Sequence, residues 1–285
     1  MVRDTDLDWQ LISARDPFYG VLTNERYLTE NLTPAVVAEF YESGRIDIDH
    51  TVDALRELSG DPFAPEVALD FGCGVGRLTF AMAGYARRVV GVDVAEPMLE
   101  VGRQQAAQRG VGNVDLQTDL PVVGVDWVNS VIVFQHIPPD RGQRVFDDLV
   151  RLLRPGGYLS LQLTFFRDRR HTGEVERDLG DYRYDGKAVE LLSPPSADGA
   201  GGMSMYDYDL NRAFHTLFTS GVERLRVDHT DHGGCHGVML HGRKRLDAPD
   251  VVEAGEAVAT APVPTATPAA MARLRRLRRR LRLRS

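Results

Sequence analysis

Three glycines in alternation, Gly72, Gly74 and Gly76, follow the apolar run Val67–Phe71 and precede a helical pattern that begins near Arg77. Glycine at such a bend permits positive φ and lets a ligand approach bare backbone. The amides that open the helix are expected to face whatever lies above the loop. A second apolar run, Arg88–Val94, carries Asp93 near its end. A carboxylate there, about 20 residues beyond the loop, can accept both hydroxyls of a ribose. A fourth apolar run, at 126–134, is followed by Gln135 and His136. Histidine titrates near neutrality, which suits a group that must take a proton from a hydroxyl, so His136 is the candidate general base.

Two common glycine loops are excluded. The dinucleotide pattern G-x-G-x-x-G needs glycine where Arg77 stands, and a phosphate loop needs a Lys-Ser/Thr pair that does not follow. What fits is D-x-G-x-G-x-G, written here as DFGCGVG from Asp70 to Gly76. It resembles the first motif of class I S-adenosylmethionine-dependent methyltransferases. The run RVVGVDV, the acidic turn Thr118-Asp119-Leu120-Pro121 and the segment RPGGYLSLQL from Arg154 follow in that family's order, so the resemblance covers about residues 65–165.

The resemblance implies S-adenosyl-L-methionine as cofactor. It assigns Gly72, Gly74 and Gly76 to the methionine part and Asp93 to the ribose, with Asp70 also among the cofactor-binding residues. Asp119 goes to the adenine amino group, with Met98 and Leu120 beside the ring. Gln135 is expected to orient the methionine part or the acceptor. Apart from the resemblance, His232 or His236 in the hairpin turn, together with Tyr206, are candidates for the acceptor side, the alternative being ordinary hairpin residues. FYESGRIDIDH and FQHIPPDRG are similar to a bacterial subgroup associated with glycan and sugar O-methylation. The expected acceptor is therefore a saccharide or related small-molecule hydroxyl. The alternatives are N- or C-methylation of another small molecule, or a partner protein that binds the cofactor without catalysis. His229, His232, His236 and His241 lie near Cys235, but zinc sites use tighter spacing and a strand would send these side chains different ways. No metal ligand is assigned. A divalent metal stays open because it assists some sugar methyltransferases of this class.

The elements that must position these residues alternate. Strands are expected at 67–71, 88–93, 113–117, 126–134 and 157–165, with helices at 77–86, 96–109 and 140–153. Such alternation builds a parallel sheet with helices on both faces. The expected fold is α/β, Rossmann-like, with seven mostly parallel strands and a terminal antiparallel hairpin. That hairpin joins 222–228 to 237–242 through HTDHGGCH, after a helix at 208–219. Residues 1–60 form a helical cover. Within it one helix starts at Thr33-Pro34 and stops at Gly44, and another spans 49–58. The methyltransferase domain runs over 61–246, with a lid insertion at about 166–205.

Residues 247–272 read as a disordered linker. Residues 273–285 hold eight arginines and no acid, on a thin leucine stripe. This tail is expected to contact anionic membrane or an acidic protein, the alternative being a solvated tail. The 285 residues carry a net charge of −7. Without the tail the balance is 26 basic against 41 acidic residues, or −15, which argues against a nucleic-acid partner. Two cysteines make no disulfide framework, and the acidic first residues lack an apolar signal core. A cytoplasmic protein, peripheral at the inner membrane face through its tail, is the expectation. Oligomeric state is not legible.

Overall fold

A computed structural model describes residues 5–168, 170, 181–184, 189–192 and 205–249. Most of the expected lid, the linker beyond Pro249 and the whole arginine-rich tail lie outside the described residues.

The chain opens with α1 (Thr5–Arg15) and α2 (Pro17–Val21), then two 3-10 turns. The long helix α3 (Pro34–Ser59) follows. Thr33 caps it, its hydroxyl accepting the Val36 N–H at 3.3 Å, Pro34 fills the first helical position, and Gly60 closes it in the left-handed region at φ 70°. Gly44 does not end a helix, contrary to expectation. It lies in the middle of α3, where a Cβ would stand 2.2 Å from the Arg77 carbonyl oxygen. The two expected helices are one, and the glycine marks a close backbone approach. Around that approach the Tyr41 hydroxyl donates to the Val75 carbonyl at 2.9 Å, and Arg77 reaches Asp47 at 2.7 Å.

The strands are β1 (Val67–Phe71), β2 (Arg88–Val92), β3 (Val114–Gln117), β4 (Val125–Ser130) and β5 (Leu153–Arg167). They are joined by α4 (Thr79–Met82), α5 (Glu96–Arg109) and α6 (Pro139–Leu152). β6 (Asp181–Tyr184), β7 (Val189–Leu192) and β8 (Met205–Tyr206) form a small antiparallel sheet of their own within the expected lid. Helix α7 (Leu210–Thr219) leads to β9 (Val222–His232) and β10 (Cys235–Lys244).

The main sheet has the order β3-β2-β1-β4-β5-β10-β9. β1 to β5 pair in parallel, and β10 runs antiparallel to both β5 and β9. Strand order therefore reverses between β1 and β4, and the crevice beyond their carboxyl ends is where such sheets bind ligands. One face buries Leu69, Val128, Leu159 and Leu161 under Phe146 and Leu149 of α6 and Leu217 of α7. The other buries Trp127 and Tyr158 under Ile48, Val52 and Leu55 of α3.

Three local expectations change. The helix at 77–86 shrinks to α4, because the chain leaves the glycine loop through turns. The strand at 126–134 stops at Ser130, and Phe134–His136 forms a 3-10 turn. The hairpin loop HTDHGGCH is paired strand except for Gly233 and Gly234, at φ 64° and 96°. Positive φ at both turn residues matches the right-handed twist of the flanking strands. Among the described residues no helix is long and apolar enough to cross a membrane.

Candidate active site

The glycine loop has left-handed backbone at all three expected positions, with φ of 75°, 52° and 87° at Gly72, Gly74 and Gly76. A Cβ on Gly72 would stand 2.3 Å from Val133, and one on Gly74 2.6 Å from Val21. Gly72 and Gly74 border a cavity of about 270 Å³, lined also by Phe71, Val92–Val94, Met98, Thr118, Leu120, Val131–Val133 and His136. The carboxyl ends of β1, β2, β3 and β4 thus all open into one chamber. Trp9 of α1 and Gly20 and Val21 of α2 line it from the amino-terminal segment. That segment is held by the Gln10 side-chain amide on the Val94 carbonyl at 2.7 Å and by Arg141 on Asp6 at 2.5 Å.

Asp93 faces this cavity. One carboxylate oxygen accepts the Gly74 N–H and the other the Ala95 N–H, both at 2.8 Å. It braces the glycine loop and caps the approach to α5 at once. Burial pushes its pKa up, and the two backbone donors pull it back. Four amides of the loop are held internally. Gly72 and Cys73 donate to the Val92 carbonyl, Gly74 to Asp93 and Gly76 to the Cys73 carbonyl. The glycines supply room and curvature rather than an anion cradle.

Asp70 does not reach the cavity. Its carboxylate turns into the sheet, accepting the Thr79 hydroxyl at 2.6 Å and the Asn129 amide at 2.9 Å. Asn129 in turn takes the Ser160 hydroxyl at 2.7 Å, and Ser160 the Trp127 indole N–H at 2.9 Å. Burial drives the Asp70 pKa up to about 6 against these donors. The residue anchors the exit of the glycine loop to the sheet. Gly76 also stays outside the cavity, packed on the Phe80 ring. Asp119 is exposed and takes the Thr118 hydroxyl at 3.4 Å, whereas its neighbours Thr118 and Leu120 line the chamber.

A second cavity of about 500 Å³ adjoins the first and shares Gly20, Val21, Ile132 and His136 with it. Tyr27, Gln135, Met205, His232 and Cys235 complete much of its wall. His136 is buried, meets the Trp9 ring edge-on at 5.0 Å between centroids, and its Nε2 lies 3.1 Å from the Gln135 amide nitrogen. Gln135 and His232 belong to this second cavity alone. His236 lines neither cavity; its ring bridges Asp168 at 3.0 Å and His229 at 2.9 Å. Tyr206 is buried outside both, its carbonyl accepting the Thr164 hydroxyl. Among the described residues no group of three His, Cys, Asp or Glu side chains is placed to hold a metal ion.

Sequence reasoning missed Trp9, Gly20, Val21, Ile132 and Arg141. Trp9 and Gly20 lie in a stretch with no motif. Ile132 has φ of 60°, a strained value for a β-branched residue, and sits inside an apolar run that looked like unbroken strand.

The methyltransferase-domain family model matches residues 68–157. An uncharacterized methyltransferase of Geobacillus thermodenitrificans is 30% identical over 148 residues, which cover 50% of this chain and 68% of that protein. The chain belongs to the class I S-adenosylmethionine-dependent methyltransferases. The nocamycin O-methyltransferase of Saccharothrix syringae is 34% identical over 35% of this chain and 39% of its own length. The chain thus spans between about two fifths and two thirds of these two curated relatives. Magnesium protoporphyrin IX methyltransferase from Synechocystis, solved with its cofactor bound, superposes with a TM-score of 0.53 at 16% identity, covering 85% of this chain and 98% of that one. That likeness is one of fold. S-adenosylmethionine is the cofactor of this methyltransferase, and the chamber at the switch point has the bare glycine backbone, the inward carboxylate and the apolar side chains to receive it.

Proposed function

We propose that this methyltransferase methylates a hydroxyl oxygen of a saccharide or related small molecule held in the larger cavity, with His136 taking the hydroxyl proton. One observation carries the assignment: His136 lines both cavities and forms part of the wall between them. A base for this reaction must touch the acceptor while lying beside the transferable group. Bound S-adenosylmethionine supplies a methyl group on a positively charged sulfur. Gly72 and Gly74 would let it approach the backbone closely, Asp93 would receive the ribose hydroxyls, and Met98 and Leu120 would pack on the adenine. Thr118 and Leu120 replace Asp119 as the groups facing the base. Trp9 meets the His136 ring edge-on and Gln135 lies beside its Nε2, so the ring plane is held before an acceptor arrives, and the Gln135 amide must yield Nε2 for that atom to take the hydroxyl proton. The roof formed by α1 and α2 keeps water from the chamber, which favours transfer over hydrolysis.

The oxygen acceptor is supported by the O-methyltransferase named among the relatives and by the similarity of the His136 segment to sugar-modifying proteins. The test is a methyl-transfer screen against saccharides and other hydroxyl compounds, read by mass spectrometry, with His136→Ala alongside. The variant is expected to lose turnover while calorimetry shows cofactor affinity within a few-fold of wild type. Full activity in His136→Ala removes the base. A product methylated on nitrogen or carbon replaces the acceptor class, and binding without transfer to any compound marks a non-catalytic partner.

A further inference from the structure

Gln162 sits on β5 in the sheet interior, only 3% exposed, and its amide joins three groups. Its Oε1 accepts the Ile132 N–H at 2.8 Å. Its Nε2 lies 3.1 Å from the Thr230 hydroxyl and 2.8 Å from His232 Nε2. A backbone N–H only donates, so the Ile132 contact fixes which end of the amide is oxygen. The other end is then the NH2 group, which only donates. His232 Nε2 must therefore accept, and the ring of neutral His232 carries its proton on Nδ1.

We propose that Gln162 is a positioning residue that locks His232 as an Nδ1–H donor for an oxygen atom of the methyl acceptor. His232 lines the larger cavity, and its Nδ1 makes no hydrogen bond among the described residues. The ring thus offers the cavity a donor and not a base. This divides labour with His136: one histidine takes the reacting proton, and the other recognises a neighbouring ether, carbonyl or hydroxyl oxygen. The amide that sets this tautomer also holds Ile132, whose left-handed backbone stands in the wall between the two cavities. Cofactor-side wall and acceptor-side donor are therefore set by one buried side chain. The recognition role rests on the larger cavity being the acceptor's; the tautomer does not.

Nitrogen-15 NMR of the labelled full chain, without cofactor or acceptor, reads the tautomer directly. The His232 signals are identified by their loss in His232→Asn, and spectra are taken at roughly pH 8, where free imidazole is neutral. Wild type is expected to show His232 protonated on Nδ1. Gln162→Glu keeps an oxygen for Ile132 and turns a second oxygen toward the ring, so it is expected to move the proton to Nε2. Gln162→Leu is expected to release the ring to a tautomer mixture. Nε2 protonation in wild type, or one tautomer in wild type and Gln162→Glu alike, overturns the proposal. Wild type and Gln162→Glu decide it even if Gln162→Leu fails to fold. Because no acceptor is used, a negative result leaves the methyl-transfer assignment standing, and a failed acceptor screen leaves the tautomer result standing.

Discussion

Replacing Gly44 by alanine separates two accounts of one residue by the sign of the effect. In an open helix interior, alanine in place of glycine stabilises by about 1 kcal/mol. Here the added Cβ would stand 2.2 Å from the Arg77 carbonyl oxygen and 2.9 Å from its carbonyl carbon. The obstacle is backbone, so α3 and the exit of the glycine loop must separate by about an ångström. Overpacking of this kind costs about 1–3 kcal/mol. Separation also loosens the Tyr41 bond to the Val75 carbonyl, worth about 1 kcal/mol. Set against the gain in helix propensity, Gly44→Ala is expected to lose about 1–3 kcal/mol. Urea denaturation followed by circular dichroism reads this as a lower midpoint at unchanged slope. Calorimetry should show weaker S-adenosylmethionine binding, since the displaced segment leads directly out of the cofactor loop. A variant about 1 kcal/mol more stable than wild type, with normal cofactor affinity, would refute the close-approach argument.

Two further outcomes follow from charge. Burial raises the Asp70 pKa from 3.8 to about 6, so its contribution to stability is full below pH 4 and is lost as pH rises through 6, amounting to about 3 kcal/mol. Burial lowers the His241 pKa from 6.5 to about 4, so that residue's contribution is present above pH 6.5 and is lost as pH falls through 4. The two nearly cancel in wild type. Asp70→Asn removes only the first, so its stability relative to wild type should climb by about 3 kcal/mol between pH 4 and 7; parallel curves from urea melts would contradict this. Asp93→Asn sets an amide against the Gly74 or Ala95 N–H and removes a charged acceptor for the ribose. Charged hydrogen bonds contribute about 1.5–3 kcal/mol, so calorimetry should show cofactor binding roughly 10- to 100-fold weaker, and an unchanged affinity would remove Asp93 from the site.

The parts of this fold that sequence exposes are those fixed by neighbours in the chain. Val67–Phe71, the alternating glycines and the Thr33-Pro34 helix start act within a few residues, and the structure places each where local rules put it. Asp93 was legible for the same reason, because one β-α-β unit brings it back beside the loop. What escaped depends on contacts made across the molecule. Gly44 looked like a helix stop because nothing nearby in sequence shows Arg77 pressing on it. Asp70 and Asp119 looked like cofactor ligands by motif, but a one-residue step in direction sends one into the sheet and the other into solvent. Gln162 did leave a trace: Ser160, Gln162 and Thr164 alternate through an otherwise apolar strand. That period of two puts three polar side chains on one buried face, where each must find a partner.

The first helix is wall as much as covering. Thr5 and Asp6 border the cofactor chamber themselves, and Thr5 is almost wholly enclosed. A change of side chain at Thr5 or Asp6 therefore reshapes the reaction vessel itself, and kinetics measured on such a variant report on the vessel's walls as well as on its chemistry.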